Sequence, residues 1–160
     1  MKFAHTNIVC TNWKKLADFY VKTFNCKIVP PIRKQSGVWL ENGTGLKNAK
    51  LEGAHLLLPG YGENGPTLEI YQYETIETQD FVPPNKRGFG HIAFEVENVE
   101  SVMKDLKKNG GKPFGKITKR EIKGVGEITF IYARDPEGNL IELQSWRKAS
   151  CQSSRRVTVV

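Results

Sequence analysis

The sequence predicts an α+β domain made of two paired βαβββ units, whose strands curve as a mixed sheet around a cup. Three observations carry this. First, "HTNIVCTNWKKLADFYVKTFNCK" overlays "HIAFEVENVESVMKDLKKNGGK" at an offset of 86 residues, His5 on His91 and Asn12 on Asn98, without a gap up to the helix ends. Second, "GPTLEIYQY" (65–73) overlays "GNLIELQSW" (138–146) at an offset of 73, which sets Glu69 on Glu142. Third, the apolar period in each half passes from about two to about 3.6 and back, as a strand, a helix and further strands require.

The elements follow in order. In "HTNIVC", Thr6, Ile8 and Cys10 share one face and His5, Asn7 and Val9 the other. Asn12 then caps a helix by accepting free N–H groups of its first turn, and Trp13, Leu16, Tyr20 and Phe24 recur at helical spacing. "KIVPPIR", "GVWL" and "AHLLLPG" read as strands, and "GPTLEIYQY" closes the unit. The second unit repeats the plan: a strand in "GHIAFEVENVE" (90–100), a cap at Asn98, then Val99, Val102, Met103 and Leu106 on one helix face, with "NGG" (109–111) as the stop. "KPFGKI" and "EITFIYA" are its middle strands, and the turn "DPEGN" leads into "GNLIELQSW". Histidine and glutamate stand 64 residues apart in the first half and 51 in the second; the roughly 13 extra residues are assigned to a loop, "ENGTGLKNAKLEG".

A chain of 160 residues, 39% hydrophobic and 26% charged, supports one ordinary core. A single domain is expected over 1–146, with half-units at about 3–74 and 88–146, and a basic tail over 147–160. No apolar run approaches a membrane span and "MKFAHTNIVC" lacks the apolar stretch of a signal peptide, so a cytoplasmic location without membrane contact is expected. Cys10, Cys26 and Cys151 form no C-x-x-C pair and are expected reduced, Cys10 in the core. The net charge of +7 is dispersed; its densest groups are "KITKREIK" and Arg147, Lys148, Arg155 and Arg156 in the tail. That pattern predicts solvated surface and a small anionic substrate rather than nucleic acid. "GYGENG" (60–65) joins no strand to a helix start and is no phosphate loop.

Strand alternation gives the repeat its chemistry. Ile92, Phe94 and Val96 face the helix, so His91 points the other way, as His5 does; Leu68, Ile70, Ile141 and Leu143 face the core, so Glu69 and Glu142 turn from it. Two imidazoles and two carboxylates therefore line one cup, a donor set for a divalent first-row ion with positions left open. Nickel, zinc, cobalt and manganese all suit it. His55 is expected in the core or behind the ligands, and Tyr71, Gln144 and Trp146, on the faces of Glu69 and Glu142, are expected to shape the pocket.

These residues resemble the vicinal oxygen chelate superfamily, which includes glyoxalase I, methylmalonyl-CoA epimerase, extradiol dioxygenases and the fosfomycin and bleomycin resistance proteins. The likeness covers about residues 3–146 and is closest to the lactoylglutathione lyase-like branch in "GHIAFEVENVESVMKDLKKNGGK" and "DPEGNLIEL". It implies His5, Glu69, His91 and Glu142 as metal ligands, and a metal-dependent lyase or isomerase that moves a proton through a metal-bound enediolate. The methylglyoxal–glutathione hemithioacetal is the substrate that branch suggests. Glu142 is then the leading base and Glu69 a ligand and second base. The resemblance leaves open an acyl-CoA epimerase or a dioxygenase, against which Glu69 and the fourth ligand stand respectively, and a non-catalytic drug-binding resistance protein, which would lack the ligand set. It also implies a homodimer, with the site either inside one chain or shared between two.

Overall fold

The computed structural model describes residues 1–77 and 82–148. The first unit comprises β1 (His5–Val9), α1 (Trp13–Phe24), β2 (Lys27–Ser36), α2 (Val38–Thr44), β3 (Lys50–Leu57) and β4 (Thr67–Tyr73). The second comprises β5 (Ile92–Glu95), α3 (Val99–Lys108), β6 (Lys112–Pro113), β7 (Thr118–Ile122), β8 (Gly126–Arg134) and β9 (Leu140–Lys148). Each unit forms its own mixed sheet, in the order β1-β4-β3-β2 and β5-β9-β8-β6, with β7 also on β8. First and last strands pair in parallel, β1 with β4 and β5 with β9, and the other pairs are antiparallel.

The asparagine caps form as their sequence dictates. Asn12 accepts from the Lys15 N–H at 3.0 Å and Asn98 from the Ser101 N–H at 2.7 Å. Asn25 ends α1 in the left-handed region at φ 57°, and Gly110 at φ 97° carries the chain away from α3.

Three local expectations are corrected. "GVWL" is not a strand: Gly37 at φ 95° breaks β2, and its carbonyl accepts from Leu40 and Glu41 to start the short helix α2. A run as short as Val38, Trp39 and Leu40 cannot be told from a helix turn by period alone. The extra residues of the first half are thus largely α2 and the start of β3, not a loop; Leu40 packs there with Ala49, Leu51 and Tyr71, covering one end of the sheet face opposite α1. In "KPFGKI" only Lys112 and Pro113 pair with β8, while the charged "TKREI" forms the exposed edge strand β7. Charged side chains on an edge suit solvent and deter further pairing, which hides such a strand from an apolar pattern. β9 runs to Lys148, so Arg147 and Lys148 pair with β8; Cys151, Arg155, Arg156 and the rest of the expected tail lie outside the described residues.

One core joins the units through their helix-bearing faces. Leu16, Tyr20 and Phe24 of α1, Leu106 of α3, Leu68 of β4 and Ile141 of β9 belong to it. The Phe24 ring stacks on Phe94 of β5 with centroids 3.9 Å apart. Tyr20, fully buried, donates to Asp135 at 3.0 Å, and the same carboxylate accepts from the backbone N–H groups of Glu137 and Asn139 and from the Asn139 side chain. Glu137 in turn accepts from Thr11 and Asn12 at the head of α1. The first helix is therefore fastened to the β8–β9 turn of the other unit. Among the described residues no helix is long and apolar enough to cross a membrane.

Removing this carboxylate strands several buried donors at once. Asp135→Ala should lower the unfolding free energy by about 3 kcal/mol or more, and Tyr20→Phe by about 1 kcal/mol. Urea unfolding followed by tryptophan fluorescence checks the ordering; equal losses would contradict a shared role for Asp135 in the turn and the helix clamp.

Candidate functional site

The parallel pairing in each unit sets a histidine beside a glutamate in the same frame. In the first sheet Asn7 is the partner of Glu69, and His5 lies two residues ahead of it on the same face. In the second sheet Ala93 is the partner of Glu142, and His91 again lies two residues ahead. His5 Nδ1 stands 3.4 Å from Glu69 Oε1, and His91 Nε2 stands 3.0 Å from Glu142 Oε2.

The antiparallel neighbour adds a third group to each pair. His55 of β3 faces Glu69, and Tyr132 of β8 faces Glu142. His55 Nε2 is 3.2 Å from Glu69 Oε1 and 2.6 Å from the Tyr71 hydroxyl, while Asn7 Nδ2 donates to Glu69 Oε2 at 3.4 Å. The Tyr132 ring lies 4.9 Å from that of His91. Glu69 is buried, at 9% exposure, among these groups. Burial holds His55 below the ordinary histidine value; the Glu69 charge opposes this, and Arg33 and His5 add to it. Tyr71 is pushed up to about 12, first by burial and then by Glu69. Tyr132 is raised by burial and by Glu142.

Each pair has the chemistry and spacing of two ligands of one ion. Nitrogen and oxygen ligands at about 2.0–2.2 Å, at tetrahedral or octahedral angles, lie roughly 2.9–3.5 Å apart. The separations of 3.4 and 3.0 Å fall in that range. The four expected ligands are nevertheless divided: among the described residues no three His, Cys, Asp or Glu side chains converge where an ion could sit. His5 is brought to Glu69 and His91 to Glu142, and the two pairs are not brought together.

Gln144 follows on the face of Glu142, and Trp146 beyond it donates to Gln144 at 3.3 Å. Asn7 and Tyr132 join the pairs without being among the expected site residues. Asn7 was legible as a residue on the His5 face, but Tyr132 comes opposite Glu142 only through the β8–β9 register.

A family model described as the Glyoxalase/Bleomycin resistance protein/Dioxygenase superfamily matches residues 2–143. Lactoylglutathione lyase of Schizosaccharomyces pombe is 30% identical over 152 residues, 90% of this chain and 47% of that protein, so the chain spans about half the length of this curated relative. A glyoxalase family protein from Bacillus cereus superposes with a TM-score of 0.78 at 21% identity, covering 91% of this chain and 94% of that one. The fosfomycin resistance protein FosX from Listeria monocytogenes, solved as a mutant with Mn(II) and 1S,2S-dihydroxypropylphosphonic acid, gives 0.52 at 18% identity, covering 89% and 90%. At these identities the two structures establish likeness of fold.

His55 provides a direct check of the electrostatics around Glu69. Its folded value lies below 6.5, so the fold favours the neutral ring. The stabilisation that preference gives is complete above the unfolded value and is lost as pH falls through the folded one. Proton NMR of the metal-free protein should find the His55 titration below 6.5, the ordinary histidine value; a midpoint above it would mean that Glu69 outweighs burial.

Proposed function

We propose a metal-dependent lyase or isomerase activity of the glyoxalase I type for this chain, which belongs to the Glyoxalase/Bleomycin resistance protein/Dioxygenase superfamily, the group its sequence resembles as the vicinal oxygen chelate superfamily. The observation that carries the reading is the identical register of the two pairs, each histidine two residues ahead of the strand partner of its glutamate. Members of this superfamily include metalloenzymes acting on small molecules. The substrate proposed here is the hemithioacetal of a small α-oxo aldehyde with a thiol, methylglyoxal with glutathione foremost. The identity to a lactoylglutathione lyase supports that choice.

The metal site in this proposal is shared across a homodimer. Within one chain the units are bound together by their helix-bearing faces, and the two His/Glu pairs lie apart. Two copies related by a two-fold axis can set His5 and Glu69 of each against the second pair of the other, making two four-ligand sites. A divalent ion held there would supply Lewis-acid stabilisation for two neighbouring substrate oxygens.

The proton transfer belongs to the carboxylates. Glu69 is in contact with His5, His55 and Asn7, whereas Glu142 pairs, among the described residues, with His91. Glu142 is thus the freer of the two to turn toward substrate. It takes the proton from the hydroxyl-bearing carbon of the hemithioacetal and returns it to the adjacent carbon, while the hydroxyl proton passes to the former carbonyl oxygen, which leaves a 2-hydroxy thioester with no net change in atoms. Glu69, the more tightly held, serves as a fixed ligand.

The shared site has a distinctive test. His5→Ala and His91→Ala should each lower metal affinity by about 10² or more in equilibrium dialysis. Co-refolded, the two variants should regain metal in about a quarter of the sites, because half of the dimers are mixed and each mixed dimer holds one intact quartet. Absence of any regain would place the ligands within single chains.

The base is tested separately. Glu142→Gln should bind metal but turn over the methylglyoxal–glutathione adduct about 10²- to 10⁴-fold more slowly, with loss of solvent deuterium exchange into the substrate. Parental turnover in the metal-loaded variant would transfer the role to Glu69. If the parent instead turns over an acyl-CoA epimer pair or fosfomycin, the metal chemistry stands and the hemithioacetal does not.

A further inference from the structure

The densest cations of the chain stand in two separate runs of the sequence, and strand register gathers them at one end of the second sheet. β7 and β8 form a hairpin whose turn closes with the Val125 N–H donating to the Ile122 carbonyl at 3.0 Å. β9 brings its last residues into the same rows: Lys148 with Gly126 and Ile122, Arg147 with Glu127 and Glu121, Trp146 with Ile128 and Arg120. "KITKREIK" and the pair Arg147 and Lys148 thus become one surface. Both faces of the sheet carry positive charge there, Arg120 and Lys148 on the Glu142 face and Lys119 and Arg147 on the other. Arg147 reaches Glu127 at 3.8 Å; Lys119, Arg120, Lys123 and Lys148 have no carboxylate partner among the described residues.

Apolar side chains occupy the same tip. Ile122, Val125 and Trp146 are exposed, and none belongs to either hydrophobic core. Gly124 at φ 81° and Gly126 at φ 140° give the backbone its turn, so the hairpin needs no apolar residue between them; Val125 is 55% exposed there. The tip is also remote from the candidate metal ligands, since β9 rises about 20 Å from Glu142 to Lys148.

An apolar tip ringed by cations fits one kind of surface. At the face of an anionic bilayer, aliphatic side chains enter the acyl boundary, a tryptophan ring rests at the level of the headgroups, and lysine and arginine meet lipid phosphates and carboxylates. A polynucleotide would satisfy the cations but leave Ile122 and Val125 against water. The expectation of no membrane contact rests on the lack of a spanning run, and docking on a surface needs none.

We propose that the tip of the β7–β8 hairpin docks this protein on anionic membrane surfaces, with Ile122 and Val125 entering the bilayer boundary and the surrounding lysines and arginines holding lipid headgroups. The docking is separate from the metal chemistry, and either can fail without the other.

Co-sedimentation of the full chain with phosphatidylcholine vesicles, with and without about 30% phosphatidylserine, tests the docking. Binding to the anionic vesicles should be about tenfold or more tighter than to phosphatidylcholine alone, because each cation at such a surface contributes about fivefold. Lys119→Gln with Lys123→Gln should weaken it about tenfold or more, whereas Lys2→Gln with Lys47→Gln, the same loss of charge away from the tip, should change it by no more than about threefold. Ile122→Ser with Val125→Ser, which leaves the charge untouched, should weaken it about fivefold or more. All three pairs occupy exposed positions, and unfolding at the parental temperature checks that the fold is kept. Failure to bind the anionic vesicles overturns the proposal, as does an equal loss from the two lysine pairs, which would mean attraction to net charge alone. Parental binding by the serine pair overturns it as well; should a mixed-sequence DNA duplex then be bound by the parent and lost with Lys119→Gln and Lys123→Gln, the surface serves a nucleic acid instead.

Discussion

Parallel pairing of the first and last strands of each unit is the constraint on which the rest depends. A parallel pair cannot be closed by a hairpin, so the chain must cross over, and the helix that makes the crossing covers one face of the sheet. The opposite face is left for polar groups. Within it, parallel register decides which residues are neighbours: Asn7 beside Glu69 and Ala93 beside Glu142 bring His5 and His91 within hydrogen-bond range of carboxylates more than fifty residues away. The βαβββ plan is thus a means of setting distant polar residues side by side on a face that no helix occupies.

The same plan explains why the pairs lie apart within one chain. Helix-bearing faces are apolar and bury against each other; Phe24 on Phe94 and the Tyr20–Asp135 clamp hold them there. Once the units are joined by those faces, their polar faces are what a second copy can meet. The buried clamp and the separation of the two His/Glu pairs are two consequences of one arrangement, since the faces that stabilise the single chain are not the faces that carry the pairs.

Much of this was legible in the sequence because it rests on local chemistry or on exact repetition. Asn12 and Asn98 announce their helices, and alternation alone turns His5 and Glu69 away from Ile8 and Ile70. What was hidden depends on long-range register or on weak local signals. The sequence offset relates His5 to His91, but nothing in it relates His55 to Tyr132; they become equivalent only when β3 and β8 are laid against the glutamate strands. α2 is hidden because its three apolar residues, Val38, Trp39 and Leu40, suit either period, and β7 because an exposed edge needs no apolar face.

The two halves are alike at some positions and unlike at others, and the division follows what each position would contact. His5 and His91, Glu69 and Glu142 match in type and register, as the proposed ion, taking equivalent donors from both sides, would require. Beyond these four residues the match ends: His55 answers to Tyr132 in the row of the glutamates, Arg33 to Thr118 in the next row, and the first unit has α2 packed on its polar face. A small organic substrate has no such symmetry. In the proposed reaction its carbon would meet one carboxylate and not the other, so a cup with unlike walls would remove the ambiguity that a symmetric ligand set leaves. The contacts of Glu69 with His5, His55 and Asn7, against the simpler surroundings of Glu142, express the same asymmetry at the carboxylates themselves. Like ligands can hold the ion, and unlike flanks can decide which glutamate moves the proton.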